Sequence, residues 1–393
     1  ESARFDSMLG DDRWLGAGVT RFDHRWSAAE LAGVRGRIDG KIGMPTLEPL
    51  VTLLVGGPTA PAEPAFRAQL RGRGLVILAD EAAVWDARAR MVTAQALAAR
   101  WLGGRVRVRL DPSADANSEL WFNGGATRYI ARETLMELGL STDEDYLDEL
   151  NRIELELATS PLRERSLDEL VALIGAGEAF DADPRARQLG ADASALLVAR
   201  GAAFMAWIDE VIRETAQQWG GDGVDEVLRI SIAYAISKGA REIPVADLLG
   251  QAANAIDRKA PPEAKIGDAF QASVIEGRRP ALGGDAYGPC FRARARKLQR
   301  FELGFVETTA AGSAQPSFTA LDPDGPAAKA GLRADDELVD ARYVAGDAQT
   351  PVELLVKRGD ALVELRYQPA GPRLRGIVWE RDTSVSDLEC ELF

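Results

Sequence analysis

Histidine is almost missing from this chain, because His24 is the single one among 393 residues. A site that needs two imidazoles is therefore excluded within one copy of the chain, and a serine–histidine triad would have to use His24. A lone histidine two residues from Trp26 is more often structural or solvated than catalytic. We therefore assign His24 no catalytic role.

Cysteine is nearly as scarce, with Cys290 and Cys390 as the two in the sequence. Two cysteines cannot form a zinc site without other ligands. One disulfide is an alternative, but Cys390 belongs to the C-terminal tail. We therefore expect two free thiols.

Basic charge and long apolar runs are lacking as well. The chain has 47 Lys and Arg against 61 Asp and Glu, a net charge of −14, which argues against nucleic acid as the main partner. No apolar run approaches the length of a membrane span, and no signal peptide is visible. With 46% hydrophobic residues, the composition is typical of a globular protein, and the length suits two or three domains.

An alanine-rich stretch predicts a helix over 87–102, because alanine is the best helix former. A zincin places H-E-x-x-H on such a helix, so that two histidines one turn apart reach the same ion and the glutamate polarises its bound water. Here Gln95 stands at the first histidine, Ala96 at the glutamate and Ala99 at the second histidine. Alone, this stretch is only one of many alanine-rich helices.

A second stretch gives the first its meaning. Trp121, Gly125, Thr127 and Tyr129 match the W-x-x-E-G-x-T-x-Y-Y segment of the glycyl aminopeptidase family, which this chain resembles. Members are gluzincins with a C-terminal PDZ domain, and Gly124 occupies the position of their ligand glutamate. All three zinc ligands and the general base are thus missing, since Gly and Ala carry no donor atom and a Gln amide is a poor zinc ligand.

The resemblance extends in family order over roughly residues 40–375. Arg200 and Gly201 match the end of a Y-Y-x-K-G motif whose tyrosines are replaced by Leu197 and Val198. In the family this region can supply an oxyanion-stabilising hydroxyl. A further catalytic group is therefore absent, and the resemblance implies no metal and no other cofactor.

Two further segments are candidates for ligand contacts. A strand over 74–79 matches the family's G-G-x-E-H edge strand, whose backbone pairs with bound peptide. Gly72 and Gly74 are kept here, while the Glu and His are not. Residues 105–109 alternate with arginine and predict a strand with one basic face, which is either a solvated face or an anionic-ligand groove.

A PDZ-like module is indicated near Phe301. Glu302, Leu303, Gly304 and Phe305 resemble the G-L-G-F carboxylate-binding loop, whose backbone N–H groups form an anion nest. The strand from Val306 would then offer an edge to a peptide C-terminus. Glu302 replaces the first glycine and brings a carboxylate near that nest.

The expected fold class is α+β and multi-domain, with a thermolysin-like or gluzincin-like α/β half, a helical half and a small β-rich PDZ domain. We place an N-terminal remnant at 1–40, with a helix over 28–38 that Ser27 caps. The other predicted units are the zincin-like subdomain 41–160, the helical subdomain 161–296, the PDZ-like domain 297–378 and an acidic tail 379–393.

Three hypotheses follow. The first is an inactive metallopeptidase homologue that binds peptides or protein termini through its cleft and PDZ module. The second is an enzyme that uses other groups in the cleft, such as Glu81, Tyr129 or Glu133, and the third is an assembly protein whose tail, 388–393, enters the PDZ groove of another copy. The resemblance implies a bacterial protein, periplasmic or exported, although without a visible signal the cytoplasm stays open.

Overall fold

The computed structural model describes residues 4–9, 12–18, 20–43, 48–57, 65–111, 113–216, 223–256, 262–284, 286–309, 316–386 and 390. Within these ranges no helix is long and apolar enough to cross a membrane. The architecture mixes α and β elements, as expected, and the α+β class is confirmed.

A five-stranded sheet organises the N-terminal part. Its strands are β1 (Arg4–Leu9), β2 (Asp12–Gly18), β3 (Val51–Gly57), β4 (Phe66–Arg71) and β5 (Gly74–Asp80). The order is β1-β2-β3-β5-β4, with β2, β3 and β5 parallel and the two outer strands antiparallel to their neighbours. The predicted edge strand, β5, is therefore internal, and the two edges of the described sheet are β1 and β4.

Helix α1 (His24–Ile42) connects β2 to β3. Its N-cap is Asp23, whose carboxylate accepts from the backbone N–H groups of Arg25 at 2.7 Å and Trp26 at 3.2 Å. The prediction that Ser27 caps the helix was wrong, because Asp23 starts it one turn earlier. The predicted boundary at residue 40 lies inside this helix, and β1 and β2 belong to the same sheet as β3.

The next elements include the helices on which the two motif segments lie. They are α2 (Ala87–Ala98), β6 (Arg107–Arg109), α3 (Leu120–Asn123), α4 (Gly125–Glu137), α5 (Asp143–Thr159) and α6 (Leu167–Glu178). Asp86 caps α2 through the N–H of Ala89 at 2.9 Å. The second motif lies on two consecutive helices, α3 and α4, which meet at Gly124.

A helical half follows, built around one long helix. Its elements are α7 (Pro184–Ala216), α8 (Val224–Ser237), β7 (Glu242–Pro244), α9 (Val245–Ala255) and α10 (Pro262–Phe270), and a π-helical turn over Gln271–Ile275. The fully buried Trp121 packs against the rings of Phe122, Phe204 and Phe270, at centroid distances of 5.0 to 6.1 Å. This aromatic cluster joins the helical half to α3.

The C-terminal part is mainly β. It comprises β8 (Phe291–Phe301), β9 (Val306–Thr309), β10 (Pro316–Thr319), α11 (Pro326–Lys329), β11 (Glu337–Arg342), β12 (Val352–Arg358), β13 (Ala361–Tyr367) and β14 (Ala370–Arg381). β8 and β14 form an antiparallel ribbon that packs on α5, where Asn151 hydrogen-bonds both backbone groups of Trp379. The predicted boundaries at 296 and 378 lie inside these two strands.

The tail is covalently attached to the start of this ribbon. Cys290 and Cys390 form a disulfide, with Cα atoms 5.7 Å apart. The expectation of two free thiols was wrong, because β14 pairs along the whole of β8 and returns the chain to Cys290, whose carbonyl accepts from the Asp382 N–H at 2.7 Å. The predicted acidic tail is thereby fixed at one point, while 391–393 lie outside the described residues.

Candidate functional site

The positions identified from the two motifs line one cleft. Gln95, Ala96 and Ala99 face it from α2, and Gly124 faces it from the junction of α3 and α4. The cleft has a volume of about 600 Å³. Its other walls are formed by Ala68, Gln69 and Leu70 of β4, by residues 102–104 and Arg107, and by Ala116, Glu119, Asn123 and Thr127.

The side chain of Gln95 connects the two motif helices. Its amide nitrogen donates to the carbonyl of Gly124 at 3.3 Å and lies 3.5 Å from the hydroxyl of Thr127. The same carbonyl accepts from that hydroxyl at 2.7 Å. A direct polar bridge thus joins the first and third ligand positions.

Gly124 also has no room for a larger side chain. A Cβ atom built on it would lie 2.5 Å from Cγ2 of Val198 on α7, well inside van der Waals contact. Val198 is one of the two residues that replace the family's tyrosines. The two positions matched to the family's glutamate and tyrosine therefore pack directly against each other.

Gly124→Glu is expected to lower the free energy of unfolding by about 2 kcal/mol, because overpacking displaces α7. Adding Val198→Ala should recover part of this loss, since it removes the clashing methyl group. Ala99→Glu puts the same side chain on the half-exposed opposite wall and serves as the control. Urea unfolding measures all three, and equal stability of Gly124→Glu and Ala99→Glu would contradict the packing argument.

Zinc, which members of the glycyl aminopeptidase family bind, does not fit the residues that line this cleft. Among the described residues, no cluster of three His, Cys, Asp or Glu side chains could hold a metal ion. The carboxylate that lines the cleft is Glu119, which is 2% exposed and accepts from Arg109 Nη1 at 2.8 Å and Asn123 Nδ2 at 3.1 Å. Its oxygens are already satisfied by donors of the chain itself.

The residues suggested for a different chemistry lie elsewhere. Tyr129 is 5% exposed, and burial raises its pKa well above the usual value. Glu133 accepts from the hydroxyl of Tyr146 at 2.8 Å, and Glu81 is exposed in the turn after β5. None of the three lines the cleft. His24 does not line it either and contacts Thr20 at 2.6 Å.

Arg200, at the position of the family's lysine, supports the helical wall. It is 2% exposed, and its guanidinium donates to the carbonyls of Arg163 at 2.9 Å and Arg165 at 2.7 Å. Burial lowers its pKa to about 10. Arg200 therefore fixes the turn between α5 and α6 rather than contacting the cleft.

The strand expected at the edge of the sheet is β5, which is internal, and Gly72 and Gly74 lie at or just before its start. Gly72 lies in the two-residue turn between β4 and β5 with a φ of +58°, and Gly74 is the first residue of β5. Neither lines the cleft. The peptide contacts of Gly72 and Gly74 stay a prediction. The strand that lines the cleft is β4, and its alternating pattern Phe-Arg-Ala-Gln-Leu-Arg is the signal that could have predicted it.

The predicted carboxylate-binding loop forms a turn between β8 and β9. Gly304 has a φ of +87°, and the carbonyl of Leu303 accepts from the Tyr367 hydroxyl at 2.7 Å. The carboxylate of Glu302 is paired with Arg300 at 2.9 Å, and the side chain of Phe305 is buried. Val306 begins β9, which pairs with β10. The peptide-binding role of these five residues remains a prediction.

Comparison with solved structures gives the fold. An aminopeptidase N family protein from Idiomarina loihiensis matches with a TM-score of 0.58 at 14% identity, over 98% of this chain and 69% of that one. The chain has an aminopeptidase-like fold. An M1 zinc metallopeptidase variant from Deinococcus radiodurans, bound to a Tyr-Ser-Ala substrate, is 17% identical with a TM-score of 0.41.

The second match covers 72% of this aminopeptidase-like chain and 52% of that metallopeptidase. The chain thus spans about half the length of the metallopeptidase. No protein-family model matches the sequence, and no curated protein matches it. At these identities the comparisons describe the fold alone, and the function has to be argued from the cleft.

Proposed function

We propose that this chain is a catalytically inactive relative of the metallopeptidases that binds peptides in its cleft. The observation that carries the proposal is the hydrogen bond from Gln95 to the Gly124 carbonyl, which joins two positions that bear metal ligands in the glycyl aminopeptidase family. The packing of Val198 against Gly124 supports it, because a ligand glutamate would not fit there. The cleft itself is kept, with a strand edge along one wall.

The C-terminal β unit would provide a second peptide contact as a PDZ-like module. Glu302–Val306 would accept a peptide C-terminus, with the strand β9 as the pairing edge. The Arg300 guanidinium beside Glu302 offsets the charge of the carboxylate that replaces the family's glycine. We further propose that the chain is exported, since disulfides persist in oxidising compartments.

Metal content separates this proposal from an active peptidase. Protein purified without a histidine tag or chelator is expected to contain less than about a tenth of an equivalent of zinc, because protein zinc sites use three or four Cys, His, Asp or Glu ligands and the described residues hold no such cluster. It should not hydrolyse aminoacyl substrates, with or without added zinc. Near-stoichiometric zinc, together with hydrolysis that a chelator abolishes, would overturn the proposal.

A further inference from the structure

We infer that the cleft selects peptides that carry a carboxylate, and that Arg107 is the residue that recognises it. This inference rests on the proposed function, because it names the ligand class of the same cleft. A cleft that binds the free amine of a peptide would instead need a carboxylate that is not already paired with a basic side chain.

The charge balance of the cleft is the first argument. Its charged lining residues are Arg107 and Glu119. Glu119 is buried, and its charge is offset by Arg109 at 2.8 Å. The Arg107 guanidinium is exposed and donates to the Gly103 carbonyl at 3.4 Å. Glu242 on β7 is the cross-strand neighbour of Arg107, but over the described part of the chain no carboxylate forms an ion pair with the Arg107 guanidinium, which is therefore available to a ligand.

The outer edge of β4 supplies the second argument. The N–H of Asp80 donates to the Ala65 carbonyl at 2.8 Å, which makes 65 and 80 a hydrogen-bonded pair. Since such pairs alternate with outward-facing ones in an antiparallel ladder, the backbone groups of Ala68 and Leu70 point away from β5. Both residues line the cleft, so an added peptide strand would run within it.

These two features together fit an extended peptide whose backbone would pair with β4 and whose carboxylate would contact Arg107. An arginine binds a carboxylate through two parallel N–H donors, which gives it both strength and direction. The carboxylate can come from an aspartate or glutamate side chain or from the peptide C-terminus. A peptide amine gains no counterpart, because Glu119 is already neutralised.

The test uses random heptapeptide libraries with acetylated N-termini, captured on the immobilised full chain and sequenced by mass spectrometry. One library has free C-termini and the other has amidated ones. We expect about tenfold enrichment of Asp and Glu at one position in the amidated library if a side chain is read. Enrichment confined to free C-termini would assign the contact to the terminal carboxylate and equally support the inference.

Variants of the two neighbouring arginines provide the decisive comparison. Arg107→Ala should remove the acidic enrichment, and Arg107→Glu should replace it by enrichment of Lys and Arg. Arg105→Glu changes an exposed arginine two residues away that does not line the cleft, and it should leave the preference unchanged. An acidic preference that survives Arg107→Glu, or its loss in Arg105→Glu, would overturn the inference.

Ala68→Pro separates this failure from failure of the proposed function. It removes an outward N–H from an edge strand without breaking the ladder to β5, and edge strands tolerate proline. It should lower total peptide capture from both libraries while thermal melting stays close to that of the parent. Capture that depends on Ala68 but not on the charge at Arg107 would keep the peptide-binding function and refute the selectivity. No capture by the parent chain would refute both.

Discussion

Gly201→Val is expected to prevent the two halves of the molecule from packing. A Cβ atom on Gly201 would lie 1.6 Å from the carbonyl oxygen of Trp121, which is far closer than two non-bonded atoms can approach. Gly125 faces the same crossing, where its own Cβ would lie 2.5 Å from the Gly201 Cα. The backbones of α7 and α3–α4 therefore touch, and a side chain there has to separate two buried helices.

The expected loss is about 4 kcal/mol or more of unfolding free energy, above the roughly 1 to 3 kcal/mol typical of overpacking, because the clash is with backbone atoms that cannot turn away. Denaturant unfolding monitored by near-ultraviolet circular dichroism measures it. Gly33→Ala is the matched control, because it lies within α1 with no atom within 4 Å of a built Cβ. It should be neutral or stabilise by roughly 0.5 to 1 kcal/mol. Similar midpoints for the two variants would contradict the close helix crossing.

Removal of the Cys290–Cys390 disulfide should cost about 3 to 5 kcal/mol, since the bond closes a loop of roughly 100 residues in the unfolded chain. The double variant Cys290→Ser, Cys390→Ser should therefore melt at a lower temperature. Reduction of the parent chain with dithiothreitol should reproduce this shift.

As a control, the double variant should melt at the same temperature with and without reductant, because it has no disulfide to reduce. The single variant Cys390→Ser separates the bond from packing, because Cys290 is buried and keeps most of its contacts. Unchanged melting of the double variant and of the reduced parent would show that the tail attachment contributes nothing to stability.

The site was partly predictable because its signal is local. Gln95 and Ala99 lie one helical turn apart, and Gly124 is read from a compact motif, so that each position could be assigned within a short segment. That these positions share one cleft followed only from the resemblance, since nothing local relates α2 to the junction at Gly124. The polar bridge between them depends on a side-chain torsion of Gln95 that no pattern encodes.

Other features escaped prediction because they depend on contacts distant in sequence. β4 lies at an edge of the sheet because β5, which follows it in the sequence, pairs with β3 on its other side. The disulfide requires the ribbon of β8 and β14, whose partners are far apart along the chain. Asp23 and Ser27 are both good N-cap residues, and composition alone does not distinguish Asp23, which caps α1 in the structure.

The closed ring between Cys290 and Cys390 encloses all of β8–β14, including the segment that we propose acts as a PDZ-like module. A protease that cuts the backbone once inside this ring opens it but releases no fragment, because the sulfur bridge holds both pieces. The nicked chain should therefore migrate as one species on a non-reducing gel and as two after reduction. A peptide receptor exposed to secreted proteases would in this way keep its second binding module attached after a first cleavage.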